Sequence, residues 1–218
     1  MNVMMLTAGE GTRLRPHTQF WPKPAISFLN VPLFLYPLQF LDSIWIEKVV
    51  LNTFHLPEKL KSVVQSFKYS NSIHFSDEVT LQGSGGGISQ ARAYFQNKGD
   101  FILMNGDEVI IPNQANIMQQ AIQKHKSSGS IATLLVMEHP EVGTKFGGVW
   151  TNQDSTIIGF GKTPQAKATK GYHNVGIAIF SDRILNYIKS GESNILYDGL
   201  TQAIQDGQQA QVVPISCQ

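Results

Sequence analysis

Up to Met137, short apolar runs alternate along the chain with segments whose apolar residues recur at helical spacing. The runs have the length of buried strands, and the segments between them have the length of helices. Strands and helices that alternate in this way build parallel crossover units. We therefore predict an α/β fold with a doubly wound, mostly parallel sheet and helices on both faces. Ligands of such sheets bind outside the carboxyl ends of the strands.

The predicted strands of this region cover residues 3–6, 48–53, 72–75, 101–104 and 130–137. The predicted helices cover residues 31–44, 56–67, 88–95 and 113–127. Pro37 should kink the first of these helices, because proline lacks the N–H that an interior turn requires. Asn113 is the expected N-cap of the last helix.

After Met137 the pattern changes to short strands joined by Gly, Asn, Asp and Pro. These strands cover residues 146–151, 156–160 and 174–180, and we expect them to form a small β lid over the sheet edge. Helices at 181–189 and 194–205, with Ser181 and Asn194 as N-caps, and a last strand at 211–215 complete the predicted elements. No repeat or linker divides the chain, so we predict a single domain over residues 1–218.

The composition narrows the class of protein. The chain has 218 residues and a formal net charge of +1, which argues against a general binder of nucleic acid or membrane surfaces. No apolar run approaches the roughly 20 residues that span a bilayer, and the first residues lack the pattern of a signal peptide. The lone cysteine, Cys217, cannot form an internal disulfide, which fits a reducing cytoplasm. We therefore expect a cytoplasmic protein without a nucleic-acid or membrane partner.

A glycine-containing turn directly follows the first predicted strand. Gly9 and Gly11 let the backbone approach a ligand closely, because no Cβ intervenes. Three cations come next in the sequence: Arg13, Arg15 and Lys23. Arginine holds a planar fork of oxygens and lysine supplies a compact charge, which is what a triphosphate requires. The pattern predicts a phosphate-binding loop, and an ordinary turn with surface cations is the alternative.

Two familiar phosphate-binding patterns are absent from this turn. The P-loop needs a Lys-Ser or Lys-Thr pair after its last glycine, and none occurs at that spacing. The dinucleotide fingerprint fails because Leu14 stands where its third glycine should be. No Asp or Glu appears about 20 residues further on to bind a ribose. A dinucleotide-dependent oxidoreductase is therefore disfavoured.

Asp107 follows a predicted buried strand and is reached through Asn105 and Gly106. Because parallel strands end at a shared edge, Asp107 and the phosphate loop can converge there. Magnesium commonly uses one or two carboxylates and fills its octahedron with waters and substrate phosphates. The local sequence alone fits a metal ligand and a turn or capping aspartate equally well.

A second glycine-rich element, LQGSGGGI, spans residues 81–88. Three adjacent glycines before a predicted helix allow close approach of a flat base or a ribose, and a helix N-terminus favours negative charge. A flexible surface loop is the alternative interpretation.

The stretch LTAGEGTRLRP, followed by PKP, resembles the signature of the sugar-1-phosphate nucleotidylyltransferases. The usual form is roughly L-A-A-G-x-G-T-R-L-x-P and then P-K-P, so Thr7 replaces a commoner small residue. In that family the loop wraps a nucleoside triphosphate, and the arginine and lysine steady its phosphates. The resemblance implies a set of nucleotide-binding residues: Leu6, Ala8, Gly9, Gly11, Thr12, Arg13 and Lys23.

Other segments resemble the same family in the same order along the chain. By this resemblance Asp107 holds Mg²⁺, and Asn105 lies beside the substrate sugar. The glycine-rich element is similar to L-G-T-A-G-x-I of mannose-1-phosphate guanylyltransferases and to E-T-G-G-G-I of N-acetylmuramate-1-phosphate uridylyltransferases. This similarity assigns Gly83, Ser84 and Gly85 to nucleotide binding and leaves the choice between GTP and UTP open.

Three further segments resemble the parts of the family that bind the sugar phosphate. The resemblance implies that Gly147 and Asn174 contact the sugar and that Lys162 meets its phosphate. Gly161 stands where the family usually carries a glutamate, so one expected hydroxyl-binding carboxylate is absent. Family members usually carry a second metal-binding aspartate in a W-x-D-x-G-T-like stretch, and the sequence ends at Gln218 before such a stretch.

The resemblance implies a Mg²⁺-dependent enzyme that makes an NDP-sugar and pyrophosphate from an NTP and a sugar-1-phosphate. The enzyme is expected to be most like a mannose-1-phosphate guanylyltransferase, and an N-acetylmuramate- or amino-sugar-1-phosphate uridylyltransferase is the alternative. The implied catalytic residues are Arg13, Lys23, Asp107 and Lys162. The expected role is nucleotide-sugar biosynthesis for cell-envelope polysaccharide, and a homo-oligomer is one option for the assembly. A non-catalytic binder of sugar nucleotides is the alternative from another class, because Gly161 and the second aspartate depart from the pattern.

Overall fold

A computed structural model gives the fold of the chain, and the structure describes residues 1–42, 44–67 and 72–216. Cys217 lies outside the described residues, as does Ser43 within the predicted helix 31–44. The strands are β1 (Asn2–Leu6), β2 (Ser27–Phe28), β3 (Val31–Pro32), β4 (Lys48–Thr53), β5 (Ile73–Asp77), β6 (Phe101–Asn105), β7 (Ala132–Met137), β8 (Gly148–Thr151), β9 (Ile157–Gly161), β10 (Lys170–Phe180) and β11 (Ala210–Pro214). The α-helices are α1 (Leu35–Leu38), α2 (Pro57–Gln65), α3 (Gly83–Gln90), α4 (Ile117–Ser128) and α5 (Thr201–Gln205).

A nine-stranded sheet organises the molecule, with the order β11-β7-β10-β6-β1-β4-β5 and with β8 and β9 attached beside β10. Along this order every neighbouring pair is parallel except the two that involve β10. The strand β10 is long enough to serve two partners: its first residues pair with β8, and its last residues pair with β6 and β7. The predicted mostly parallel sheet is therefore confirmed, together with a small antiparallel group formed by β8, β9 and the start of β10.

Helices cover both faces of the sheet, which explains why the central strands are apolar on both sides. In β1, Met4 belongs to the core on the face of α3 and α5, while Val3 and Met5 belong to the core on the face of α2 and α4. Within the described residues, no helix combines the length and the apolar character needed to cross a membrane.

The predicted helix over 31–44 is wrong in its first half. Val31 and Pro32 form β3, which pairs with β2 through a two-residue turn at Leu29 and Asn30, both with positive φ. Only α1 and a 3-10 turn, Gln39–Leu41, are helical in the described part of this segment. The tight turn pulls the chain into a hairpin first, and Pro37 removes one N–H from what helix remains.

The predicted cap of the polar helix is also displaced. The helix α4 begins at Ile117 with Asn116 as its N-cap. The backbone N–H of Asn113 instead donates to the carbonyl of Ser216 at 3.0 Å. Asn113 is therefore bonded to the end of the described chain and does not start the helix.

Two predicted caps in the C-terminal region are confirmed, although the helices differ in type. The Ser181 hydroxyl accepts from the N–H of Arg183 at the start of a 3-10 helix, Asp182–Tyr187. The Asn194 side chain accepts from the N–H groups of Leu196 and Tyr197 at the start of a π-helical turn, Ile195–Leu200, which continues into α5. π-helical turns occur frequently at functional sites.

The triple glycine lies inside α3, whereas the sequence predicted a helix that only begins at residue 88. Glycine disfavours helix by about 1 kcal/mol relative to alanine, so tertiary packing must select this helix. A Cβ on Gly87 would lie 2.7 Å from Asn52 Nδ2 and 2.8 Å from Glu78 Oε1. Gly85, Gly86 and Gly87 are buried, which excludes a flexible surface loop.

We predict that Gly87→Ala lowers the free energy of unfolding by about 1–3 kcal/mol, because the added methyl group displaces two buried polar side chains. Gly199→Ala is the matched control, since its Cβ would meet its nearest neighbours at an ordinary 3.5 Å. The control should change stability by less than about 1 kcal/mol. Urea unfolding measures both, and equal stability of the two variants would contradict the packing argument.

Candidate active site

Three parallel strands end together at one edge of the sheet. The strand β1 lies between β4 and β6, and the register places Leu6 level with Asn52 on one side and with Asn105 on the other. The N–H of Gly106 donates to the Leu6 carbonyl at 3.0 Å, so the loop after β6 lies directly against the loop after β1. The close approach requires glycine, because a Cβ on Gly106 would collide with the Thr7 methyl group.

The loop after β1 presents a run of unused backbone donors. Thr7 donates its N–H to Asn52 Oδ1 at 2.7 Å. For the next four residues, 8–11, the described part of the chain provides no acceptor for the backbone N–H groups. Gly11 then adopts a left-handed conformation, with φ 63°, and its carbonyl accepts from the Thr18 hydroxyl at 2.9 Å. Successive free N–H groups in such a turn form a concavity suited to an anion.

The predicted cation and the predicted acid meet beside this loop. Lys23 Nζ lies 2.5 Å from Asp107 Oδ2, and the two side chains are 28% and 27% exposed. The structure therefore brings together two residues that are 84 positions apart in the sequence. Their separation from bulk water is partial, so each remains accessible to a ligand.

The two arginines of the loop differ in their partners. Arg15 forms an ion pair of 3.8 Å with Glu10, and both side chains are about half exposed, so the pair contributes little to stability. Arg13 lies exposed in the 3-10 turn Thr12–Leu14 and has no ion pair with the described residues. Arg13 is thus a cation available to a ligand at the loop.

Asp107 has one oxygen left for another partner. Lys23 binds Oδ2, and no described residue forms a hydrogen bond with Oδ1. The neighbouring Glu108 is occupied differently, since its Oε1 accepts from Asn105 Nδ2 at 3.3 Å. No group of three or more His, Cys, Asp or Glu side chains in the described residues could hold a metal. The donor set is one carboxylate oxygen, which fits a magnesium ion that takes its remaining ligands from phosphates and water.

The glycine-rich element is fastened to the loop that precedes the π-helical turn. The N–H of Gly85 donates to the Ser193 carbonyl at 2.8 Å, and the Ser84 hydroxyl accepts from the N–H of Ile195 at 3.0 Å. A Cβ on Gly83, which has φ 69°, would lie 2.6 Å from the same Ser193 carbonyl. Packing within the protein therefore accounts for these glycines, and their contacts with a nucleotide stay a prediction.

A cavity of about 260 Å³ opens where the strand ends face the glycine-rich element. Four of the residues predicted for the nucleotide or the sugar line it: Leu6, Ser84, Asn105 and Asn174. Asn174 Oδ1 also accepts from the N–H of Gly176 at 3.2 Å, and the Asn105 side chain lies against Gly176, where a Cβ would collide with it. The two predicted sugar-binding asparagines are thus neighbours in one cavity.

Two further residues predicted to bind the sugar phosphate lie at the ends of strands: Gly147 directly precedes β8, and Lys162 directly follows β9. A Cβ on Gly147 would lie 3.0 Å from the hydroxyl oxygen of Tyr197. Lys162 is exposed and forms no ion pair with the described residues. Neither residue lines the cavity, so their roles stay predictions.

A buried polar group beneath the loops was not predicted from the sequence. Asn52 and Glu78 are 3% and 7% exposed and contact each other. An asparagine directly after the apolar residues of the strand KVVLNT was the available signal.

A ring cluster beside Asn174 was also missed. The rings of His139 and His173 pack against Phe146 at centroid distances of 5.0 and 5.2 Å. Burial, with His139 as the second cause, lowers the pKa of His173, although Glu108 opposes the shift. His173 directly precedes Asn174, which lines the cavity.

Comparison with known proteins agrees with this architecture. Residues 2–216 match the family model described as nucleotidyl transferase. A UTP–glucose-1-phosphate uridylyltransferase from Synechocystis sp. is 29% identical over 205 residues, which cover 88% of this chain and 52% of that protein. A mannose-1-phosphate guanylyltransferase catalytic subunit beta from Dictyostelium discoideum is 28% identical over 198 residues, which cover 89% and 54%. The chain spans about half the length of these curated relatives.

A solved structure shares the fold. The crystal structure of a UDP-glucose pyrophosphorylase complexed with UDP-glucose superposes with a TM-score of 0.79 at 18% identity, covering 99% of this chain and 91% of that one. This likeness confirms the Rossmann-like fold, and the match to the family model confirms the family that the loop signature resembles. The chain therefore belongs to the nucleotidyl transferase family.

Proposed function

We propose that this protein transfers a nucleotidyl group from an NTP to a sugar-1-phosphate, releasing pyrophosphate. The observation that carries the proposal is the run of free N–H groups at residues 8–11 beside the Lys23–Asp107 pair. Free amides and nearby cations suit a polyphosphate. A dinucleotide site would need the G-x-G-x-x-G fingerprint, which Leu14 interrupts. The names of the relatives, which include a uridylyltransferase and guanylyltransferases, support the same reaction.

In the proposed reaction an oxygen of the sugar phosphate attacks the α-phosphorus in line. A new oxygen–phosphorus bond forms, and the bond between the α-phosphorus and the bridging oxygen breaks, so that pyrophosphate leaves with that electron pair. No protein nucleophile is required, because positioning and neutralisation of charge can supply the acceleration.

Arg13 and Lys23 would bind the triphosphate together with the loop amides, since both cations lie at the loop. Without a ligand, Lys23 neutralises Asp107; a bound triphosphate would offer Lys23 a second anionic partner. Asp107 would hold Mg²⁺, and the ion would supply positive charge that neutralises the phosphates. Asn105, Gly147, Asn174 and Lys162 would face the sugar phosphate.

The base and the sugar define two versions of the proposal. We favour GTP with mannose-1-phosphate, because several of the matched relatives carry that name. UTP with an amino-sugar or glucose phosphate is the second version, which the uridylyltransferase relative supports. We place the reaction in the cytoplasm, where nucleotide sugars for cell-envelope polysaccharide would be made.

Turnover should appear in a pyrophosphate-release assay with Mg²⁺, an NTP and a sugar-1-phosphate. A panel of GTP, UTP, CTP, ATP and dTTP against mannose-, glucose- and amino-sugar phosphates identifies the pair, and omission of Mg²⁺ tests the metal. Pyrophosphate released with one pair, dependent on both substrates, is the expected result. NTP binding without turnover by any pair would instead favour a non-catalytic sugar-nucleotide binder.

We expect Arg13→Ala to lower kcat/KM by about 10²–10³-fold without a change in thermal stability, because an exposed contact to the transferring phosphates is removed. Lys126→Ala is the matched control, since Lys126 is an exposed cation on α4. Its kcat/KM should stay within about twofold of wild type. Wild-type turnover by the Arg13 variant would exclude the assigned role.

A further inference from the structure

A buried hydrogen-bond network lies beneath the two loops of the site and consists of Thr7, Asn52, Glu78 and Gln82. Asn52 stands at its centre, at the carboxyl end of β4, and is 3% exposed. Its Oδ1 accepts from the N–H of Thr7 at 2.7 Å, and its backbone carbonyl accepts from the Thr7 hydroxyl. Both polar groups of Thr7 that can donate are therefore committed to Asn52. Thr7 is also the residue immediately before the four free amides.

On its other side, the hydrogen-bond network reaches the glycine-rich helix α3. Asn52 Nδ2 donates to Glu78 Oε1 at 2.7 Å, and Glu78 Oε2 accepts from the N–H of Gln82, the N-cap of α3, at 3.0 Å. Glu78 is 7% exposed and has no ion pair with a cation among the described residues. A buried carboxylate in that position depends on its hydrogen bonds, and losing one is costly.

The packing of α3 leaves the side chains of this hydrogen-bond network no room to move. Gly87 lies directly over the Asn52–Glu78 contact, where any side chain would come within 2.8 Å of both polar atoms. The distance between the phosphate loop and the first turn of α3 is thus set by one amide and one carboxylate.

The direction of the hydrogen bonds is also fixed. A backbone N–H can only donate, so the oxygen of the Asn52 amide must face Thr7 and its nitrogen must face Glu78. An ionised carboxylate only accepts, which matches both donors that reach Glu78. Each link therefore has one permitted partner type on each side.

We propose that Asn52 and Glu78 are positioning residues that set the NTP affinity by holding the phosphate loop in register with the start of α3. They act through Thr7 and Gln82. The inference rests on the proposed function, because it assigns the NTP to the edge that these two elements share.

Single substitutions should disrupt the hydrogen-bond network, and one double substitution should restore it. Asn52→Asp places two carboxylates face to face, and Glu78→Gln places two amide donors against each other or against the N–H of Gln82. In the variant with both changes, the acid at position 52 accepts from Thr7 and from the new amide at 78. The carbonyl of that amide then accepts from Gln82, so every link is remade and only the link between positions 52 and 78 reverses its direction.

We expect each single variant to raise the NTP Kd and KM by about 10–100-fold, which is the effect of losing a hydrogen bond to a charged group. The KM for the sugar phosphate should stay within about twofold of wild type. The double variant should recover to within about fivefold of wild type in NTP Kd. Titration calorimetry with the NTP and initial rates measure these quantities, and Gln123→Glu, an amide-to-acid change on the exposed face of α4, is the matched control.

Thr7→Val keeps the side-chain shape and removes the hydroxyl donor, so it tests the same link in a variant that should fold. Its NTP KM should rise about fivefold, as expected for one neutral hydrogen bond. Single variants with wild-type NTP affinity, a double variant no better than the weaker single, or equal rises in both KM values would overturn the inference. Failure of the wild-type protein to bind any NTP would instead reject the proposed function, and the inference with it.

Discussion

The parallel register of β1 between β4 and β6 is the constraint on which the site depends. It places the ends of three strands at the same level, so the loops that leave them must share one edge of the sheet. A lysine from the first loop and an aspartate from the loop after β6 then come within 2.5 Å. Without this register, the cationic and acidic segments would have no reason to meet, and the free amides would face no opposing charge.

Glycine serves two different needs at this edge. Gly11 supplies the left-handed turn that closes the phosphate loop, and Gly106 lets one loop rest on another. The glycines of α3 are required because the Asn52–Glu78 contact and the Ser193 segment lie where a Cβ would otherwise be. The second glycine-rich element is thus a packed helix, and its composition follows from its neighbours as much as from any ligand.

Much of this architecture could be predicted because it follows from the local pattern of apolar and polar residues. The buried strands follow from apolar runs, and the meeting of the phosphate loop with Asp107 follows from parallel topology. The helix over the triple glycine could not be predicted, since glycine disfavours helix and only tertiary packing selects it. The hairpin at Leu29 and Asn30 could not be predicted either, because the apolar residues that follow it recur at helical spacing. The partners of Asn52 are distant in sequence, so nothing local identifies them.

Backbone hydrogen exchange tests most directly whether this edge binds a polyphosphate. The amides of residues 8–11 have no protein acceptor in the described chain, so in the free protein they should exchange rapidly. Addition of an NTP with Mg²⁺ should slow their exchange by tenfold or more, because phosphate oxygens become their acceptors. Binding of the nucleotide with unchanged exchange at these four amides would contradict the account.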